Sequence, residues 1–107
     1  MYSHNDILGL PIHPRSILFF KANNRYARPR IGICLELKND TQIKIASAVL
    51  CPEGEIQQER YYYCTISTCN LINISAIICE EPHLAETHRK LLEIYNKYQD
   101  HKHANAF

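Results

Sequence analysis

Five cations, Arg15, Lys21, Arg25, Arg28 and Arg30, fall within a stretch from Ile7 to Leu35 that contains no acidic residue. Basic groups gathered without carboxylates hold phosphates, arginine through a planar fork of donors and lysine as a compact charge. His13 belongs to the same stretch and is the titratable group best suited to proton transfer, because imidazole titrates near about pH 6.5. Hydroxyls able to donate to a phosphoryl oxygen stand at Ser47 and Thr65. Tyr61-Tyr62-Tyr63 adds flat aromatic surface. Strand alternation places Tyr61 and Tyr63 on one face and Tyr62 on the other, so at most two of them stack bases. Each feature also has a purely structural reading. The cations can form a solvated hairpin, Arg28 can pair with Glu36, His13 can be an ordinary loop residue and Ser47 can bond to backbone. The tyrosines suit a half-buried strand or a protein interface equally well.

Twelve Lys and Arg residues against eleven Asp and Glu leave a net charge of +1, so the total says nothing about partners. The distribution says more. Glu53, Glu55 and Glu59 lie in one stretch, and Glu80-Glu81 precede the last segment. A chain divided this way is expected to have a positive side. Hydrophobic residues make up 46% of the 107 positions, which excludes a disordered tail, a collagen-like chain or a low-complexity linker and leaves one globular domain. Apolar runs are short, as in Ile17–Phe20, so no segment is expected to span a membrane. Asp6, Gly9 and Pro11 interrupt any secretory leader pattern, and a cytoplasmic chain is expected. The five cysteines, Cys34, Cys51, Cys64, Cys69 and Cys79, then stay reduced, and Cys34 and Cys79 read as core residues within apolar strands. Cys64, Cys69, Cys79 and His83 have zinc-ligand chemistry but not the tight spacing of a zinc knuckle. His83 and His88 do not share a helical face, and His101 and His103 fall near the end of the chain. No metal and no cofactor is expected.

The elements that must position these groups follow from hydrophobic periodicity. Residues 1–14, with Gly9, Pro11 and Pro14 among Ile7, Leu8, Leu10 and Ile12, read as an extended arm with apolar anchors. Ser16 to Phe20 is a first strand and Ala22 to Pro29 a basic loop. Arg30 to Leu37 is a second strand with Ile31, Ile33, Leu35 and Leu37 on one face and Gly32, Cys34 and Glu36 on the other. Lys38-Asn39-Asp40-Thr41 supplies a hairpin turn in which Asn and Asp tolerate positive φ, and Gln42 to Leu50 returns as a third strand. Arg60 to Ser67 makes a fourth strand and Asn70 to Cys79 a fifth. From Pro82 to Gln99 the period becomes helical, with Leu84, Leu91, Tyr95 and Tyr98 on one stripe widened by Leu92 and Ile94. Residues 100–107 read as a flexible tail. Strands joined by turns rather than crossover helices cannot build a parallel sheet. The expected fold is mainly β, of the α+β class: a small antiparallel barrel or bent sheet of about five strands over residues 15–79, with a C-terminal amphipathic helix over 82–99.

A short apolar strand, a basic loop ending in Arg28-Pro29, the strand Arg30-Ile31-Gly32-Ile33-Cys34-Leu35 and its hairpin return resemble the N-terminal half of the MazF/PemK-type toxins. The later strand from Asn73 to Cys79 and the terminal helix also stand where that family has them. The likeness covers about 80 of the 107 residues in element order, with Arg28-Pro29 as its one sharp motif. It implies an SH3-like barrel, dimerisation, metal-independent cleavage of single-stranded RNA, and a protein antitoxin as partner. Where the family has Gly-Asp before its first strand, this chain has Pro14-Arg15-Ser16. Where the family has Pro-x-Thr near the end of the third strand, this chain has Ile45-Ala46-Ser47-Ala48-Val49-Leu50, and Ser47 is its only hydroxyl.

Metal-free RNA cleavage needs a base for the 2′-hydroxyl, a donor for the leaving oxygen and positive charge for the phosphorane. For that chemistry Arg28 would supply the charge, Ser47 or Thr65 the hydroxyl, and His13, beside the basic stretch, the proton transfer. Arg15, Lys21, Arg25 and Arg30, with Tyr61 and Tyr63, would grip the strand. The alternative is a non-catalytic module that docks on a protein or a nucleic acid through the same basic loop and tyrosine strand. Either is compatible with a homodimer, since a five-stranded sheet leaves edges to pair.

Overall fold

Alternating apolar residues between turn-forming stretches fold here into one antiparallel sheet flanked by a long helix and a small hairpin. The structure is a computed structural model that describes residues 4–21, 30–49, 60–65 and 71–105. Strands β1 (His4–Asn5) and β2 (Pro11–Ile12) pair as the hairpin, and β3 (Ile17–Phe20), β4 (Arg30–Leu37), β5 (Gln42–Val49), β6 (Arg60–Thr65) and β7 (Ile72–Asn73) form the sheet. Its order is β6-β5-β4-β3-β7, a four-strand meander with the fifth strand returning beside the first. A short helix α1 (Ser75–Ile78) and a 3-10 turn (Pro82–Leu84) lead into α2 (Ala85–Asn105). The expected mainly β, α+β class with a C-terminal helix holds, as an open sheet: no closed barrel forms among the described residues.

Among the described residues each sheet face carries a buried cluster. Ile17, Ile31, Ile33, Leu35 and Ala46 pack against Ile78, Leu91 and Ile94 on the helix side, with Leu84, Leu92, Tyr95 and Tyr98 around them, as the helical stripe requires. Leu18, Phe20, Cys34, Ile43 and Ile45 form a second cluster that takes in Ile12 of β2 and Leu71. Burial there pushes the Cys34 thiol up to about 12, and the negative charge of Glu36 adds to the effect. This Cys34 is the core thiol expected of it, whereas Cys79 is exposed.

A bulge changes the facing of β4. Cys34 pairs with Ile45 and Glu36 with Lys44, so Leu35 has no opposite number. Leu35 packs on the helix side while Leu37 joins the second cluster. Uninterrupted alternation puts Leu37 with Ile31 and Glu36 with Cys34, and the extra residue reverses both assignments. The β4–β5 turn also differs from a two-residue loop with positive φ. It has four residues, closed by bonds from the Lys38 and Asn39 N–H groups to the Gln42 carbonyl at 3.0 and 3.2 Å. The Asn39 side chain accepts from the Thr41 N–H at 2.9 Å, a local closure that removes any need for left-handed backbone.

The fifth strand is shorter than the apolar run from Asn70 to Cys79 suggests. It ends at Asn73, whose Oδ1 accepts from the Ser75 N–H at 3.0 Å and from the Ser75 hydroxyl at 2.6 Å. That turn diverts the chain into α1, because Asn and Ser offer the backbone a partner that competes with the ladder. Pro82 starts a 3-10 turn rather than α2, and the helix continues to Asn105, past the expected end at Gln99 and through most of the expected tail.

The N-terminal arm is a hairpin latched by one carboxylate. Asp6 Oδ1 accepts from the Leu8 and Leu10 N–H groups at 2.9 and 2.8 Å, and Oδ2 accepts from Asn73 N–H at 2.7 Å. At the other end His4 Nε2 donates to the Asn39 carbonyl at 2.8 Å. Ile12 is buried, but Ile7, Leu8 and Leu10 are exposed and do not anchor the arm as expected. Burial works to raise the Asp6 carboxyl, but the N–H groups of Asn73, Leu10, Leu8 and Gly9 outweigh it and hold it below its ordinary value. A depressed folded value stabilises the protein above the unfolded pKa and is lost as pH falls through the folded one. Wild type is therefore expected to lose stability between about pH 4 and pH 2 more steeply than Asp6→Asn, which has no proton to gain there. Urea midpoints at both pH values check this, and parallel losses would contradict it.

Candidate nucleic-acid interface

The bulge in β4 brings Glu36 and Lys44 side by side on the face that the second half of α2 crosses. Lys102 reaches down from the helix and its Nζ donates to Glu36 Oε2 at 2.9 Å. That bond holds the Glu36 carboxyl below the usual range against the raising effect of burial, with help from a Tyr98 hydrogen bond and the Lys44 charge. Lys102 is raised in return by the same bond and charge. The Lys44 ammonium lies over the Tyr98 ring, 4.7 Å from its centre. One helical turn away, the Arg15 guanidinium lies over Tyr95 at 5.7 Å. Cations over ring faces are attracted to the quadrupole and keep their charge outermost.

Arg15 reaches that position from an unusual backbone. Among the described residues it is the one non-glycine residue with positive φ, at 77°, a conformation that costs an L residue on the order of 1 kcal/mol. Two bonds define the turn: Arg15 N–H donates to the Cys34 carbonyl at 2.8 Å, and Ser16 N–H to the His13 carbonyl at 2.9 Å. Lys97 and His101, four apart and both exposed on α2, complete the face. With Lys44 and Tyr98 they line an open groove of about 510 Å³. On this face Arg15 and Lys44 thus lie over Tyr95 and Tyr98, Lys97 lines the groove, and Lys102 is bonded to Glu36.

The structure divides the residues singled out from the sequence. Lys21 follows β3, and Arg30 opens β4 opposite Phe20, so these two share one end of the sheet. Arg15 precedes β3 at the other end, on the order of 20 Å away at the rise of a strand. The positive side expected of this stretch is therefore divided among its described cations, with Arg15 apart from Lys21 and Arg30. The chain crosses the whole sheet between Arg15 and Lys21. His13 is exposed beside Arg15, its N–H donating to Ser16 Oγ at 2.9 Å. Ser47 sits in β5 opposite Gly32, with β4 between it and β3. His13 and Ser47 are thus not brought together. Tyr61 and Tyr63 occupy the edge strand β6 opposite Ala46 and Lys44. Arg60 opens β6 opposite Ser47. Arg25 and Arg28 fall in segment 22–29, which joins Lys21 to Arg30 and lies outside the described residues, as do Cys51 and Cys69.

Lys44 and Lys97 carried no sequence signal of their own, since lysines on an amphipathic helix and a strand face usually only solvate it. A signal was nevertheless present in the Tyr95-x2-Tyr98-x3-Lys102 spacing, which aligns two rings and an ammonium along one side of a helix. No family model, curated protein or solved structure matches this chain. Among the described residues, no helix is long and apolar enough to cross a membrane and no group of His, Cys, Asp and Glu is arranged to hold a metal ion.

Proposed function

We propose that this chain is a nucleic-acid-directed binding module of the cytoplasm that holds the phosphate backbone of single-stranded RNA on the face around Glu36. The observation that carries this reading is the placement of Arg15 and Lys44 over Tyr95 and Tyr98, with Lys97 in the adjoining groove and Lys102 on the same helix. Phosphates are recognised by such fixed cations, and aromatic support reduces the ordering that binding requires. The separation of His13 from Ser47 favours binding over chemistry at these residues.

Charge reversal tests the reading. Binding of a fluorescent single-stranded RNA should weaken with salt, and Arg15→Glu with Lys97→Glu should reduce affinity by at least about tenfold. The same pair should flatten the slope of log K against log salt by about 1.4, the share of two phosphate contacts on a single strand. Affinity that ignores both salt and charge reversal would exclude the proposal.

A second reading is a metal-independent endoribonuclease with a protein antitoxin as partner. Arg28-Pro29 stand immediately before Arg30, the first residue of β4, in the element order that the toxin resemblance rests on. Incubation with single-stranded RNA in EDTA separates the two readings. Cleavage that Arg28→Ala abolishes supports the enzyme, and RNA left intact by both proteins removes it. The described sheet ends at β6 and β7; pairing of two copies along such an edge would appear in light scattering as a doubled mass.

A further inference from the structure

We infer that the tip of the β1–β2 hairpin, Ile7, Leu8 and Leu10, docks on a lipid surface by entering its interfacial layer. The tip points toward the Lys21 end of the sheet, away from Arg15, so the inference goes beyond the nucleic-acid reading and does not depend on it. Within four consecutive positions these three residues are 58%, 68% and 46% exposed. Together they offer on the order of 300 Å² of apolar surface, a patch size that is often functional on a monomer. The turn also gives water little to hold. All five N–H groups from Asp6 to Leu10 are bonded within the chain. Asp6 N–H donates to the Leu10 carbonyl at 2.8 Å, Ile7 N–H to the Leu71 carbonyl at 3.1 Å and Gly9 N–H to the Asp6 carbonyl at 3.0 Å. Leu8 and Leu10 N–H both donate to Asp6 Oδ1, and Gly9, with φ of +85°, lets the chain turn that tightly.

Backbone satisfaction, area and charge together select the occupant. A protein partner brings hydrogen-bond acceptors of its own, whereas hydrocarbon offers none, so backbone donors that enter lipid must be satisfied internally. The tip meets that condition, and at the shallow depth of an interfacial segment, about 5–10 Å, its carbonyls stay within reach of headgroup water. Its area is well below the roughly 800 Å² that each partner of a stable protein pair buries. Reversible lipid binding needs less, a few apolar side chains with positive charge nearby. Lys21 supplies that charge. Leu71 precedes Ile72, which pairs with Phe19, so Ile7 is held at the end of β3 where exposed Lys21 follows Phe20. Asp6 is the one carboxylate of the hairpin, and its oxygens already accept from the N–H groups of Leu8, Leu10 and Asn73. The surface that fits is therefore an anionic one, such as a bilayer containing phosphatidylserine.

Cosedimentation of the full chain with vesicles of phosphatidylcholine and phosphatidylserine in a three-to-one ratio tests the tip. The protein should pellet with these vesicles and bind vesicles of phosphatidylcholine alone more weakly. Ile7→Gln with Leu8→Gln removes apolar surface without changing charge and should weaken binding at least about tenfold. Ile77→Gln, at an exposed isoleucine of α1, should leave it unchanged. Lys21→Ala should weaken it about fivefold, the share of one cation near an anionic surface. The chain contains no tryptophan, so the emission of a Leu8→Trp variant reports on the tip alone. It should move to shorter wavelength with vesicles and be quenched by brominated acyl chains. Binding indifferent to the paired Gln substitutions, or an emission that vesicles leave unchanged, would overturn the inference. A doubled mass in solution that the same pair abolishes would assign the tip to a second copy and overturn it as well.

Discussion

Leu91→Ala is expected to lower the unfolding free energy by about 4 kcal/mol, toward the upper end of the range for large-to-small changes in a core. Leu91 has no exposed surface and packs where α2 meets Ile17, Ile33 and Leu35. Its neighbours cannot close the space cheaply, because the sheet side is held by ladder bonds on both edges of β4. A small domain has only about 5–15 kcal/mol in total, so the variant should unfold at a markedly lower urea concentration. The same docking places Tyr95, Tyr98, Lys97, His101 and Lys102. Near the variant's unfolding midpoint, RNA binding should therefore disappear together with helical circular dichroism. A cost below about 1 kcal/mol would mean that the helix–sheet contact is not what orders the basic face.

Gly32→Ala should cost about 2–3 kcal/mol for the opposite reason, an added atom with nowhere to go. A methyl group at Gly32 would lie 2.7 Å from the Ala46 carbonyl oxygen and 3.0 Å from both Cδ1 and Cγ1 of Ile45. The nearest of these is backbone, so relief requires β4 and β5 to shift against each other. Gly9 is the contrasting case. It has φ of +85° and open space around the missing Cβ, so Gly9→Ala carries only the left-handed penalty of about 1 kcal/mol. Thermal melts of the two variants should rank them in that order, and equal shifts would show that the β4–β5 contact yields easily.

The two glycines illustrate how differently the chain declares its structure. Gly9 beside Pro11 marks a turn within a few residues, and the hairpin at 4–12 is where that signal points. Gly32 in the middle of an apolar strand shows only that something approaches closely, and the Ala46 carbonyl becomes visible only when β5 is laid alongside. Asn73 and Ser75 fall between these cases. Their turn chemistry was written within the run from Asn70 to Cys79, but the isoleucines around it made the stronger claim for a strand.

Local periodicity and turn chemistry were enough to determine the strands β3 to β6, the hairpin between β4 and β5, the apolar stripe of α2 and the α+β class. Those features depend on neighbours a few residues apart, and hydrophobic spacing records such neighbours directly. Tertiary structure alone decided the facing of Leu37 and Glu36, since one unpaired residue at Leu35 reverses side-chain parity without altering composition. It also decided that Arg15 stands apart from Lys21 and Arg30 and joins Lys44, Lys97 and Lys102 instead. Charges close in sequence are carried apart by the length of the strand between them, and charges 50 or more residues apart meet because burial of the helix stripe brings their elements together.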